Sequence, residues 1–180
     1  MACDDRCAAK AYSGSAVCLH NVPYALMLLL GAGVLLTSLK VSPWAWIAAC
    51  VYVVYGVVGA LWIILFVCPY CASYGRRSCP CGYGVLAAKL RKQGDPSLFA
   101  TQFKRHIPFI VPLWFIPMLV GIPMVILSFS WFLMGLLVVF ALNSFVLLPR
   151  MSTGVGCKEC PQREVCPWMG PGSTQEERKT

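Results

Sequence analysis

The chain has 180 residues, 58% of them hydrophobic and only 12% charged, with a formal net charge of +8. A soluble domain carries about 25% charged residues, so this chain has too little charge to cover a water-facing surface, and an ordinary soluble globular protein is excluded. The apolar content also excludes disorder for most of the chain, and the length leaves room for one domain.

Residues 1–21 form an N-terminal segment holding Cys3, Cys7, Cys18 and His20. A membrane helix needs about 20 mostly apolar residues, and residues 22–39 supply them. That stretch lacks a small-residue cleavage site and runs through a short turn at 40–43 into a second span, residues 44–67, so it does not read as a cleavable signal. Cys50, inside the second span, is expected to be a plain buried residue. Gly56, Gly59 and Ala60 are expected to let another helix approach closely.

Residues 68–106 form a cysteine-rich basic loop, and from position 69 onward seven basic residues stand against one acid, Asp95. Within it, residues 84–93 and 97–106 read as short amphipathic helices. Val85, Leu86, Leu90, Leu98, Phe99 and Phe103 would enter the membrane interface, and Arg91, Lys92, Lys104 and Arg105 would face anionic lipid headgroups. Lipid alone accounts for the loop's charge, so no nucleic acid is invoked.

Residues 107–127 and 129–148 are the third and fourth spans, joined by a turn near residues 128–130. Pro108, Pro112, Pro117 and Pro123 should bend the third. Asn143 and Ser144 should hydrogen-bond a neighbouring helix. The tail, residues 149–180, carries Cys157, Cys160 and Cys166 and is expected to be disordered after Trp168. No span contains Asp, Glu, Lys or Arg, which argues against a proton pump or ion transporter. No phosphate-binding loop, nucleophile elbow or zinc-protease motif is present.

Of the 15 Lys and Arg residues, only Lys40 falls on the side of the short turns. The positive-inside rule therefore places both termini and the central loop in the cytoplasm, the side that a prokaryotic cytoplasmic membrane keeps rich in positive charge. The two halves also resemble each other. His20 precedes Pro23 and His106 precedes Pro108; a hairpin of two spans follows each, and each half ends in cysteines. The expected fold is an all-α membrane protein of four transmembrane helices in two tandem hairpins, 22–67 and 107–148, related by parallel duplication.

Of the 11 cysteines, all but Cys50 fall on the predicted cytoplasmic side. Disulfides are uncommon in a reducing compartment, and clustered thiols there more often bind metal. Cys68, Cys71, Cys79 and Cys81 read C-x2-C-x7-C-x-C and could complete one site. Cys157, Cys160 and Cys166 offer three donors, and a fourth could come from Cys3, Cys7 or Cys18. The residue 3–18 segment is accordingly expected to fold over the C-terminal group, and the two cysteine groups to lie near each other. Cys68, Cys79, Cys160 and Cys166 each precede Pro, as the last cysteine of a bacterial ferredoxin run does. One or two iron–sulfur clusters, of the 4Fe–4S kind, are the first reading and zinc the alternative. His20 and His106 are further candidates, as metal or haem ligands or a proton relay beside a quinone. The plainer reading makes each a helix-start residue hydrogen-bonded at the interface.

Duplicated hairpins that end in Cys79-Pro80 and Cys166-Pro167 resemble the polyferredoxin-type membrane subunits of quinol dehydrogenases, although the C-x3-C-P motif of that group is absent. The resemblance implies electron transfer between a cytoplasmic donor and a membrane carrier or partner subunit. Two other functions fit the same residues: a zinc-stapled structural or assembly protein, and a thiol–disulfide oxidoreductase using Cys68–Cys71 or Cys157–Cys160.

Overall fold

The structure, a computed structural model, describes residues 11–156 and Gln162. Every regular element among them is helical: α1 (Gly14–Ser38), α2 (Pro43–Phe66), α3 (Tyr83–Leu90), α4 (Phe99–His106), α5 (Pro112–Leu127), α6 (Trp131–Ala141) and α7 (Leu148–Met151). A π-helical segment, Leu142–Leu147, joins α6 to α7. Four stretches are long and apolar enough to cross a membrane: Gly14–Ser38, Pro43–Tyr70, Pro96–Leu127 and Trp131–Gly154. This is the build of a membrane protein.

The chain divides into two compact units: Asn21–Leu61 with Pro108–Arg150, the helical unit, and Met1–His20 with Trp62–Ile107 and Met151–Thr180, the loop unit. The helical unit has its own apolar core, in which Met27, Leu28, Val34, Leu35, Tyr52, Leu113, Leu133, Leu137 and Phe140 are buried. Its outer face is just as apolar: Leu119 is 71% exposed, Ile126 77% and Trp131 74%. Water penalises such a surface and hydrocarbon does not.

Cys50 is exposed, not buried as its sequence suggested. It lies on a stripe of α2 with Ile47, Val51, Val54, Val58 and Leu61, all exposed. Apolar content cannot separate a lipid face from a core face when both are apolar, which is why the position misleads.

Prolines leave backbone carbonyls without partners, and polar side chains supply the missing donors. Pro117 has no N–H to return to the Leu113 carbonyl four residues earlier. The Tyr52 hydroxyl donates to that carbonyl instead, at 2.9 Å. In the π-helical segment the Leu148 N–H bonds the Asn143 carbonyl, so the next donor in that pattern would be Pro149, which has none. Trp114 Nε1 donates to the stranded Ser144 carbonyl at 3.0 Å.

Tyr24 donates to the Gly56 carbonyl at 2.8 Å, Tyr55 to the Phe109 carbonyl, and Asn143 Nδ2 to the Pro23 carbonyl at 3.0 Å. These bonds run from α1 to α2, from α2 to α5 and the residues just before it, from α5 to the π segment, and from there back to α1, so they close a ring. Asn143 thus bonds a neighbouring helix, as its sequence position suggested.

Close packing accompanies the ring. A Cβ on Gly31 would fall 2.5 Å from the Tyr52 ring. The α1–α2 turn is tight enough that Lys40 and Val41 both take positive φ, 54° and 50°.

Candidate metal centre

In the loop unit the chain leaves α2 through a 3₁₀ turn, Cys68–Tyr70, with buried Pro69 at its start. Pro69 cannot return an N–H to the Leu65 carbonyl four residues back. Arg91 Nη1 donates to it at 3.0 Å, with the guanidinium 5.1 Å from the centre of the Phe66 ring. Arg91, expected to face lipid headgroups, therefore caps the end of α2, where a cation also suits the helix dipole.

The Cys71 N–H bonds the Cys68 carbonyl at 3.1 Å, the Tyr74 N–H the Cys71 carbonyl at 3.0 Å, and the Gly82 N–H the Cys79 carbonyl at 3.0 Å. Three glycines let the loop fold. Gly75 and Gly82 have φ of +69° and +73°, a region that side chains disfavour. At Gly84 a Cβ would sit 2.2 Å from the Ser73 carbonyl oxygen and 3.5 Å from Cys79 Cβ. Only glycine allows α3 to start that close to the loop.

Cys71, Cys79 and Cys81 each lie within electrostatic reach of the Cys68 thiol. All four are of intermediate exposure and none is in a disulfide. Their number and softness suit a zinc ion or an iron–sulfur cluster. Among the described residues no group of three or more His, Cys, Asp or Glu side chains is placed to hold one metal ion.

Cys18 is a free, exposed thiol on α1. Its neighbour Val17 abuts Gly82, where a Cβ would lie 2.9 Å from Val17 Cγ1, and the Tyr12 N–H bonds the Arg77 carbonyl at 2.9 Å. The described start of the chain therefore lies against the first cysteine loop. Cys3, Cys7, Cys157, Cys160 and Cys166 fall outside the described residues, as do the tail beyond Trp168 and the expected fold-over of residues 3–18.

His20 packs edge-on to the Tyr12 ring at 5.7 Å. His106 lies stacked on Phe66 at 5.2 Å. Its Nδ1 accepts from Trp62 Nε1 at 3.2 Å, and Nε2 lies 3.2 Å from Gln102 Oε1. Since indole N–H only donates, Nδ1 is the bare nitrogen and Nε2 carries the proton. Both ring nitrogens are engaged, so His106 is a hydrogen-bonded histidine, but it ends α4 instead of starting a helix and its partners are side chains, not backbone or water.

Asp95 caps the Pro96–Leu98 turn by accepting from the Ser97 N–H at 2.9 Å, and that bond holds its carboxyl below the usual range.

Sequence reasoning missed Gln162. It is 8% exposed and bonds the cysteine loop on both sides of Cys71. The only hint lay in its position between Cys160 and Cys166.

Fold and site together define an all-helical, membrane-spanning type of chain with a thiol-rich loop unit. Comparison with protein-family models, curated proteins and solved structures finds no match for it.

Proposed function

We propose that this chain is an integral membrane iron–sulfur protein that passes electrons between a soluble donor and a membrane carrier or partner subunit. The observation that carries the reading is the gathering of four reduced thiols, Cys68, Cys71, Cys79 and Cys81, in one glycine-shaped loop. Thiolate ligation is what a cluster needs, and the cluster would supply one-electron chemistry. The chain's own part is to present the thiols and shield them. Buried Pro69 and Ala87 and the snug Gly84 contact with Ser73 limit water around the loop.

The same reading makes the four spans two tandem hairpins, with the loop and both termini in the cytoplasm, in keeping with the placement of the Lys and Arg residues. Exposed Lys89, Lys92, Lys104 and Arg105 leave positive charge for an acidic redox partner or anionic lipid. The resemblance to polyferredoxin-type subunits points to the same chemistry.

Anaerobically purified protein should be brown, with iron and acid-labile sulfide in equal amounts. Colourless protein with stoichiometric zinc and no sulfide would replace electron transfer by a structural staple. Rapid labelling of Cys71 in intact cells by an impermeant thiol reagent would invert the orientation and revive a thiol–disulfide oxidoreductase.

A further inference from the structure

One patch of the loop unit carries cations that no carboxylate answers. Trp62 and Phe66 lie in the last turns of α2, and His106 ends α4. Their rings form one cluster: Phe66 stands 4.3 Å from Trp62 and 5.2 Å from His106, centre to centre. Two guanidiniums belong to it. Arg91 lies 5.1 Å from the centre of the Phe66 ring, and Arg91 and Arg105 are both within electrostatic reach of the His106 imidazole. Both arginines are exposed. Arg91 uses Nη1 on the Leu65 carbonyl, one donor of the five that a guanidinium carries. Asp95 is the only acid among the described residues, and its carboxylate caps the Pro96–Leu98 turn.

The depth of this patch follows from the helix that it ends. The stretch Pro43–Tyr70 is long and apolar enough to cross a membrane, and the ends of such a span meet the phospholipid headgroups, a level that aromatic rings favour. Arg91 is held to the Leu65 carbonyl, so its guanidinium stays at that level. α3 adds a mixed face: Leu86 and Leu90, 41% and 52% exposed, flank Lys89 at helical spacing. Exposed leucines beside exposed cations suit neither water nor a purely acidic protein surface. A bilayer interface accepts both, the leucines at the acyl boundary and the cations at the phosphates.

We propose that Arg91 and Arg105 seat the headgroup of an anionic phospholipid at the Trp62–Phe66–His106 cluster. The proposal deepens the reading given above by choosing lipid over an acidic redox protein as the partner of this charge. It rests on the membrane-spanning build and needs no metal. A guanidinium fork matches phosphate oxygens in pairs, and two forks at one place select a phosphate over a diffuse counter-ion cloud. The surplus of basic side chains around the seat disfavours a headgroup that carries its own ammonium, so a lipid with net negative charge is preferred.

The test uses the full chain, delipidated in maltoside micelles, with an equimolar mixture of phosphatidylglycerol and phosphatidylcholine as probe. Native mass spectrometry counts the lipids retained. A basic residue at an anionic surface is worth about five-fold in binding, so the wild type should retain phosphatidylglycerol over phosphatidylcholine by about ten-fold or more. Arg105→Gln should lower that preference by about five-fold, and adding Arg91→Gln should remove most of the rest. Arg91 also caps α2, so Arg105→Gln, which leaves that cap intact, decides the matter if the double variant loses helix by circular dichroism. Lys40→Gln, in the α1–α2 turn, removes a charge elsewhere and should leave the preference unchanged. Equal retention of the two lipids by the wild type overturns the seat and leaves the charge to an acidic protein. A preference that survives Arg105→Gln, or that falls equally in Lys40→Gln, overturns it as well. Iron and sulfide do not enter this readout, so loss of the seat and loss of the iron–sulfur reading are told apart.

Discussion

The Tyr52 hydroxyl offers a direct measure of what a proline-orphaned carbonyl costs inside the helical unit. Tyr52 is 2% exposed and Leu113 0%, so no water replaces the bond when the hydroxyl is removed. Tyr52→Phe keeps the ring that packs over Gly31 and deletes only the donor. A buried carbonyl left unsatisfied costs about 1–3 kcal/mol, and the expected loss is about 2 kcal/mol. Pro117→Ala restores an N–H at the position that α-helical geometry assigns to the Leu113 carbonyl. Pro117 is itself fully buried, so its replacement carries a packing cost of its own, and the two changes must be read as a cycle. In the Pro117→Ala background Tyr52→Phe should cost under about 0.5 kcal/mol, a coupling of about 1.5 kcal/mol by the same accounting of satisfied and unsatisfied carbonyls. Four proteins unfolded reversibly from micelles by sodium dodecyl sulfate, followed by helical circular dichroism, give all four free energies. Equal costs of Tyr52→Phe in the two backgrounds would refute the argument, as would a Tyr52→Phe protein as stable as the wild type.

Three further outcomes are expected. Val41 holds φ of 50° in the α1–α2 turn and is 61% exposed, so Val41→Gly should raise stability by about 1 kcal/mol in the same titration, because left-handed backbone strains a β-branched residue. Gly84→Ala pushes a methyl against the Ser73 backbone oxygen and should loosen the cysteine loop, read as faster alkylation of Cys79 by iodoacetamide in the reduced protein. Replacing Cys71 or Cys79 by Ala should remove most of the iron from anaerobically purified protein, whereas Cys50→Ala, on the outer face of α2, should leave iron content unchanged.

How much of this was readable beforehand follows from what each signal encodes. The spans were legible because membrane crossing needs only length and the absence of charge. Their ends were less so. α1 begins at Gly14, well before the apolar run at residue 22, since Ser13 accepts the Ala16 N–H at 3.3 Å and supports a polar first turn. α5 begins only at Pro112, after a separate 3₁₀ turn, Ile107–Phe109, in a stretch where Pro108 and Pro112 withhold donors. That Cys71, Cys79 and Cys81 stay within reach of Cys68 was legible from their spacing, because a short, turn-rich stretch cannot carry its thiols far apart. The π segment was not, since it depends on Trp114, 30 positions earlier, meeting the Ser144 carbonyl that Pro149 cannot. Gln162 was not either: a single amide in a polar tail has no period, and its partners Tyr70, Ala72 and Pro96 lie 92, 90 and 66 residues earlier in the chain. Arg91 was assigned to lipid on charge alone, whereas its partner was fixed by Pro69, whose effect on Leu65 no composition measure registers.

The ring of side-chain bonds in the helical unit also sets an order of manufacture. As the chain leaves the ribosome, α1 and α2 can fasten to each other through Tyr24 and Gly56, because both are already made. The longest fastening, from Asn143 to Pro23, spans 120 positions and waits until the fourth span is made. Until then the Pro23 carbonyl has only its own helix to satisfy it, and a product halted before residue 143 carries an open ring. A membrane quality-control protease that senses loosely held helices would therefore find its substrate in the truncated chain and not in the finished one.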